Sequence, residues 1–255
     1  MKKITAYLTV LFMSTILLSG CSSAENEGHV FHDYFVQPFV KLIHTIGSTF
    51  NGNYAIAIII ITLAVRLLLL PFMLNTMKKQ QIMREKMEIV KPEMEKIQKR
   101  VKAAKSKEEQ MKAQQEMMAL YQQHNINPFA MGCLPILLQM PIWMALYYAI
   151  RISEDIQKAH FLWFKLGSPD ILMAFIAGLM YFLQFRVSMI GVPEEQKKQM
   201  KIIGLLSPAM ILFISFSTPA ALPLYWTVSG LFLIGQTWLS KRYFQTHKQE
   251  VNENK

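Results

Sequence analysis

Tyr54 to Leu74 reads YAIAIIIITLAVRLLLLPFML, an almost purely apolar run broken by one charge, Arg66. At about 1.5 Å per residue, a helix of this length crosses the roughly 30 Å hydrocarbon core of a bilayer. An arginine within such a span costs about 2.5–3.5 kcal/mol on insertion scales, so it faces water, a partner or a polar cavity unless it reaches the surface. Eight residues, about 12 Å of rise, separate Arg66 from Leu74. That is more than its stem comfortably reaches, which favours a polar cavity over snorkelling.

The rest of the chain fits the same solvent. A hydrophobic fraction of 52% with 17% charged residues, and further apolar stretches near span length, indicate a polytopic membrane protein. Residues 1–20 combine Lys2 and Lys3, an apolar middle and Leu18-Ser19-Gly20 before Cys21. This pattern reads as a secretory signal and resembles a bacterial lipobox, so a lipid attached to Cys21 is expected; an uncleaved first membrane helix is the alternative. Cys133 then has no partner in the chain, and neither a disulfide nor a cysteine metal site is expected.

The placement of charge says more than the total of +10. Segments 75–130, 186–201 and 241–255 hold twelve, four and four Lys or Arg, whereas 22–53 and 151–170 hold one and three. Positive charge marks the cytoplasmic side. The amino end is therefore expected outside, the carboxyl end inside, with five spans between them.

The expected order follows. Residues 21–53 form a lipid-anchored outer segment with an interfacial helix, on which Phe31, Phe35, Phe39, Ile43 and Ile46 share one face. The first span is 54–74. A cytoplasmic coiled-coil hairpin occupies 75–130, because Met83, Met87, Val90, Met94, Ile97 and Val101 repeat at alternating steps of four and three. A second arm is expected to present Met111, Met118 and Tyr121, after a break around Ala103–Lys107. Pro92 is expected to kink the first arm. The second span, 131–151, contains Pro135, Gln139 and Pro141. An outer loop 152–168 leads to a third span, 169–188, with Tyr181, Gln184 and Ser188 on one face. A cytoplasmic loop 189–200, a fourth span 201–217 and a fifth span 220–240 follow, and a basic cytoplasmic tail, 241–255, is expected to be mobile.

Motifs for covalent chemistry are missing: there is no phosphate-binding glycine loop, zinc spacing or Gly-x-Ser-x-Gly. No histidine lies in a span to activate Ser229, and His29, His32 and His44 lack acidic or cysteine partners converging in sequence. Neither an enzyme nor a bound cofactor or metal is expected. What remains is a set of intramembrane polar groups: Thr62 and Arg66 on one face, Gln139, Gln184, and Ser229 with Gln236 seven residues on. Each glutamine alone reads more readily as a helix-to-helix hydrogen bond. Apart from Asp170 at the outer start of the third span, no span contains Asp or Glu, so Arg66 has no acidic partner at its depth in the membrane. An arginine so placed suits attraction of acidic groups on something entering the membrane.

The segments Asn53–Pro71, Asn125–Ile150 (NINPFAMGCLPILLQMPIWMALYYAI) and Ala221–Gln236 (ALPLYWTVSGLFLIGQ) resemble the first, second and fifth core spans of the YidC/Oxa/Alb membrane protein insertases. The likeness covers nearly the whole mature chain and is greatest to the short lipoprotein form of Gram-positive bacteria. It implies an all-α polytopic membrane protein whose five transmembrane helices enclose a hydrophilic groove open to the cytoplasm. Arg66 matches the family's groove arginine. The resemblance further implies nascent membrane proteins as clients, the ribosome, the Sec translocon and membrane lipids as partners, and residence in the bacterial plasma membrane. Gly230 departs from the pattern where relatives often carry Asn, and Pro223 is a further departure. Two alternatives stand beside this reading: a small-solute or ion transporter, disfavoured by the lack of internal repeats, and a scaffold that binds membrane proteins without inserting them.

Overall fold

The computed structural model describes residue 28 and residues 30–104, 106–126, 133–190, 192 and 194–253. The signal segment 1–20, Cys21 and Asn127-Pro128 lie outside the described residues, so the lipid-attachment expectation has no structural counterpart here. The described chain is almost entirely helical. A π-helical turn, His32–Val36, leads into α1, Gln37–Thr49. Then come α2, Tyr54–Ala103; α3, Lys107–Gln123; α4, Cys133–Ile152; and the short α5, Glu154–Lys158. Strands β1, His160–Phe161, and β2, Phe164–Lys165, pair antiparallel. Helices α6, Ile171–Ser188, α7, Glu194–Ser215, and α8, Ala221–Glu253, complete the order.

The chain separates into two compact units, one holding residues up to 68 and 139–239, the other 69–138 and 240–255. In the first unit the buried core collects Ala55, Ala57, Ile58 and Ile61 of α2, Leu146, Ala149 and Ile150 of α4, and Met173 and Ala177 of α6. Ile211 of α7 and Leu222, Leu224, Tyr225 and Trp226 of α8 join them. These are alternately helix starts and helix ends, so one end of the up-and-down bundle is the densely packed one. Ile43 of α1 and Ile156 of α5 close over it.

Polar staples hold that end. His44 of α1 hydrogen-bonds Ser153 Oγ at 2.9 Å, and the backbone N–H groups of Ala220 and Ala221 donate to the carbonyls of Ser168 and Leu166 at 2.9 and 3.0 Å. The turn from α1 to α2 uses Asn51 and Gly52 at φ 55° and 79°, the left-handed region these two residue types enter most readily. It folds the Tyr54 ring against Gly47, where a Cβ would have no room. Asp170 caps α6 by accepting from Met173 N at 2.7 Å.

In the second unit Val90, Ile97, Ala113, Leu120 and Ile126 are buried, with Met83, Met87, Met94, Val101, Met117 and Tyr121 packed against them. Arg100 pairs with Glu116, and Tyr121 Oη donates to Met94 Sδ at 3.4 Å, so α2 and α3 run antiparallel here. Ser106 starts α3 by accepting from Glu109 N at 3.2 Å, a Ser-x-x-Glu cap.

Three features differ from the sequence reading. On α3 the inward phase is Ala113, Met117, Leu120 and Tyr121, and Met111 and Met118 are 56% and 53% exposed. Apolar residues lie on two faces of this helix, and the phase containing Leu120 is the one that meets the α2 seam. Helix α8 continues through most of the basic tail, to Glu253. The outer loop, to which the sequence reading assigned no elements, forms a helical turn and a two-stranded hairpin. Among the described residues, α2 and α6 are long and apolar enough to cross a membrane by length and composition, and Gly204–Ser215 is a shorter apolar helix.

Candidate functional site

Arg66 sits on α2 one turn beyond Thr62, and both are buried, Arg66 at 8% exposure. The Thr62 hydroxyl donates to the Ile58 carbonyl at 2.6 Å, which satisfies its proton within the helix and leaves its oxygen able to accept. Both line a cavity of about 10 Å³ with Gln139, Ile142 and Leu146 of α4 and Tyr225 of α8. That is room for roughly one water. Its walls are mainly apolar, and its polar groups converge from three helices.

Gln139 Nε2 donates to the Tyr225 hydroxyl, linking α4 to α8 beside Arg66. The same hydroxyl interacts with Arg66 and stands beside Ser229, one turn along α8. Ser229 is fully buried, yet its Oγ makes no hydrogen bond of good geometry. Tyr181 of α6 lies within electrostatic reach of Arg66 and Tyr225. Ion pairs among the described residues include Arg100–Glu116 and Lys158–Glu154, both away from this cavity. A guanidinium with five donors thus shares its surroundings with neutral hydroxyls and an amide, an arrangement able to receive a carboxylate or carbonyl.

The structure brings together Arg66, Thr62 and Gln139, with Ser229 adjoining through Tyr225. It does not bring Gln184 or Gln236 to the cavity: Gln184 is half-buried on α6, and Gln236 is buried three turns beyond Tyr225. Tyr225 is the site residue missing from the sequence reading. Its signal was a phenol within an apolar span, where a hydroxyl needs a partner. Among the described residues no cluster of His, Cys, Asp or Glu could hold a metal ion.

A family model described as 60Kd inner membrane protein matches residues 45–249. Membrane protein insertase YidC 2 of Listeria monocytogenes serotype 4b (strain F2365) is 54% identical over 252 residues, covering 98% of this chain and 92% of that protein. The chain belongs to the YidC family. A second YidC-family relative, membrane protein insertase MisCB of Bacillus subtilis (strain 168), is 46% identical over 233 residues, covering 88% of this chain and 83% of its own length. The fold is also YidC-like. A solved structure described as an active YidC insertase with the first transmembrane domain resolved matches with a TM-score of 0.55 at 21% identity, over 87% of this chain and 49% of that one.

Proposed function

We propose that this YidC-family chain is a membrane protein insertase whose working element is the Arg66 cavity. The observation that carries the proposal is Arg66 itself, buried in a membrane-length helix, with neutral polar neighbours and no ion pair to a described carboxylate. In this account α2, α4, α6, α7 and α8 provide five spans, the amino end lies outside, and the hairpin of α2 and α3 and the tail of α8 lie in the cytoplasm. The packed end of the bundle faces outward, and the groove opens to the cytoplasm and to lipid, lined by Thr62, Arg66, Gln139 and Ser229, with Gln184 and Gln236 toward the cytoplasmic ends of their spans.

A client's polar segment enters at the cytoplasmic side, where Arg66 and its water lower the cost of carrying acidic or polar groups partway across. The client's hydrophobic segment then slides into lipid. Partition of about 20 apolar residues drives the step, so the insertase itself consumes no nucleotide. The cavity as it stands admits one water and no polypeptide, so entry requires the Gln139–Tyr225 link to open. Clients are nascent membrane proteins delivered by the ribosome or the Sec translocon, and a lipid on Cys21 holds the outer segment to the membrane.

Insertion of a single-spanning client into liposomes carrying the purified protein, read by protease protection, tests this. Arg66→Ala is expected to slow insertion about tenfold or more, since about 1.4 kcal/mol of lost barrier relief is a factor of ten. Arg66→Lys is expected to retain much of the rate. Normal insertion of every client by Arg66→Ala removes the proposed role.

A further inference from the structure

The outer loop carries an apolar tip that the insertion mechanism does not use. Strands β1 and β2 pair His160 with Lys165 and Phe161 with Phe164, leaving Leu162 and Trp163 at the turn. Leu162 is 75% exposed and Trp163 50% exposed, while Phe164 beside them is buried. Leu162 also holds φ at 53°, a left-handed conformation that Gly or Asn adopts readily and a leucine adopts against steric resistance. A leucine this exposed in a strained turn position contributes little to the core.

The depth of the tip is fixed by a hydrogen bond. Trp163 Nε1 donates to Asp170 Oδ1 at 3.3 Å, and that carboxylate is the cap of α6, accepting from Met173 N at 2.7 Å. Trp163 is therefore held level with the first turn of a helix of membrane length. The first turns of α6 expose Ile171, Leu172 and Phe175 at 69%, 52% and 54%, the apolar surface that meets lipid where a span begins. The Trp163–Asp170 bond sets the tip beside that first turn, and the exposed, paired His160 and Lys165 flank the tip in the hairpin. A tryptophan with its ring in the apolar boundary and its N–H on a polar group, beside a cationic side chain, matches the chemistry of the headgroup region.

We propose that Leu162 and Trp163 form a membrane anchor that inserts into the noncytoplasmic lipid interface, with Lys165 at headgroup phosphates, and so pins the outer loop over the packed end of the bundle. The inference rests on the membrane-span reading of α6. A photoreactive benzophenone amino acid placed at residue 162, 179 or 155 of the full chain in native membranes tests it, with adducts to phospholipid detected by mass spectrometry after illumination. Leu179 lies exposed in the middle of α6, and Asp155 lies exposed on α5. The expected result is lipid adduct at 162 at a yield comparable with 179 and several-fold above 155. Adduct at 179 with none above the 155 level at 162 overturns the anchor while leaving the span intact. Absence at both 179 and 162 overturns the span reading and the anchor with it.

Discussion

At the scale of single residues, the site depends on polar groups that cannot retreat to water. Gln139 and Tyr225 bond each other next to Arg66, so removing the Tyr225 hydroxyl leaves the Gln139 amide without that partner, and removing Gln139 leaves the hydroxyl to Arg66 and Ser229. Gln139→Leu and Tyr225→Phe are each expected to cost about 1–3 kcal/mol of stability in detergent. The double variant should cost less than the sum, with a coupling of about 1 kcal/mol in an unfolding cycle; strict additivity would show that the link is not made. Arg66, Thr62 and Gln139 were visible in the sequence because each interrupts an apolar run. Tyr225 was not, since a phenol in LPLYW reads as one more core aromatic until its hydroxyl finds Gln139. Gln184 and Gln236 illustrate the converse, for the face of a span that meets a cavity is set by packing rather than by polarity.

Among the elements, the hairpin of α2 and α3 shows how far a periodic pattern carries. The α2 arm was readable because its six apolar positions hold the heptad step over three repeats, against only Ile82 and Ile89 on an exposed face, and all six are in the packed seam. The α3 arm was misphased because its methionines lie on two faces and only contact with Val90 and Ile97 selects between them. Ile97→Ala is expected to cost about 2–4 kcal/mol of local stability, seen as faster amide exchange across residues 83–121, whereas Met118→Ala should stay within about 0.5 kcal/mol. Equal effects would restore the other phase.

Just past the apolar part of α8, burial and the neighbouring Arg84 guanidinium lower the Lys241 pKa to about 8. An unperturbed lysine titrates near 10.4, so between these values the unfolded form binds the extra proton. The local structure around Lys241 therefore gains stability as pH rises through that window and loses it below. Carbon-13 labelling of lysine side chains should show one resonance titrating near pH 8 that disappears in Lys241→Gln; titration of all lysines at ordinary values would contradict the packing.

Across the whole molecule, class and family were legible, since apolar runs of span length and the Asn125–Ile150 motif leave few other architectures. The two-residue strands and the continuation of α8 to Glu253 were not. Strands that short carry no alternation, and the polar tail has no apolar period to announce a helix. The bundle concentrates its packing and staples at one end and leaves Arg66 in a cavity lined by α2, α4 and α8, which suits a molecule sealed on one side and entered from the other. The most direct measurement is site-specific photocrosslinking from Thr62, one turn from Arg66, to ribosome-bound nascent chains of graded length. A length-dependent adduct with a small membrane protein, and none with a soluble control, is the expected result. No adduct from a folded protein carrying the probe would contradict passage through the Arg66 cavity.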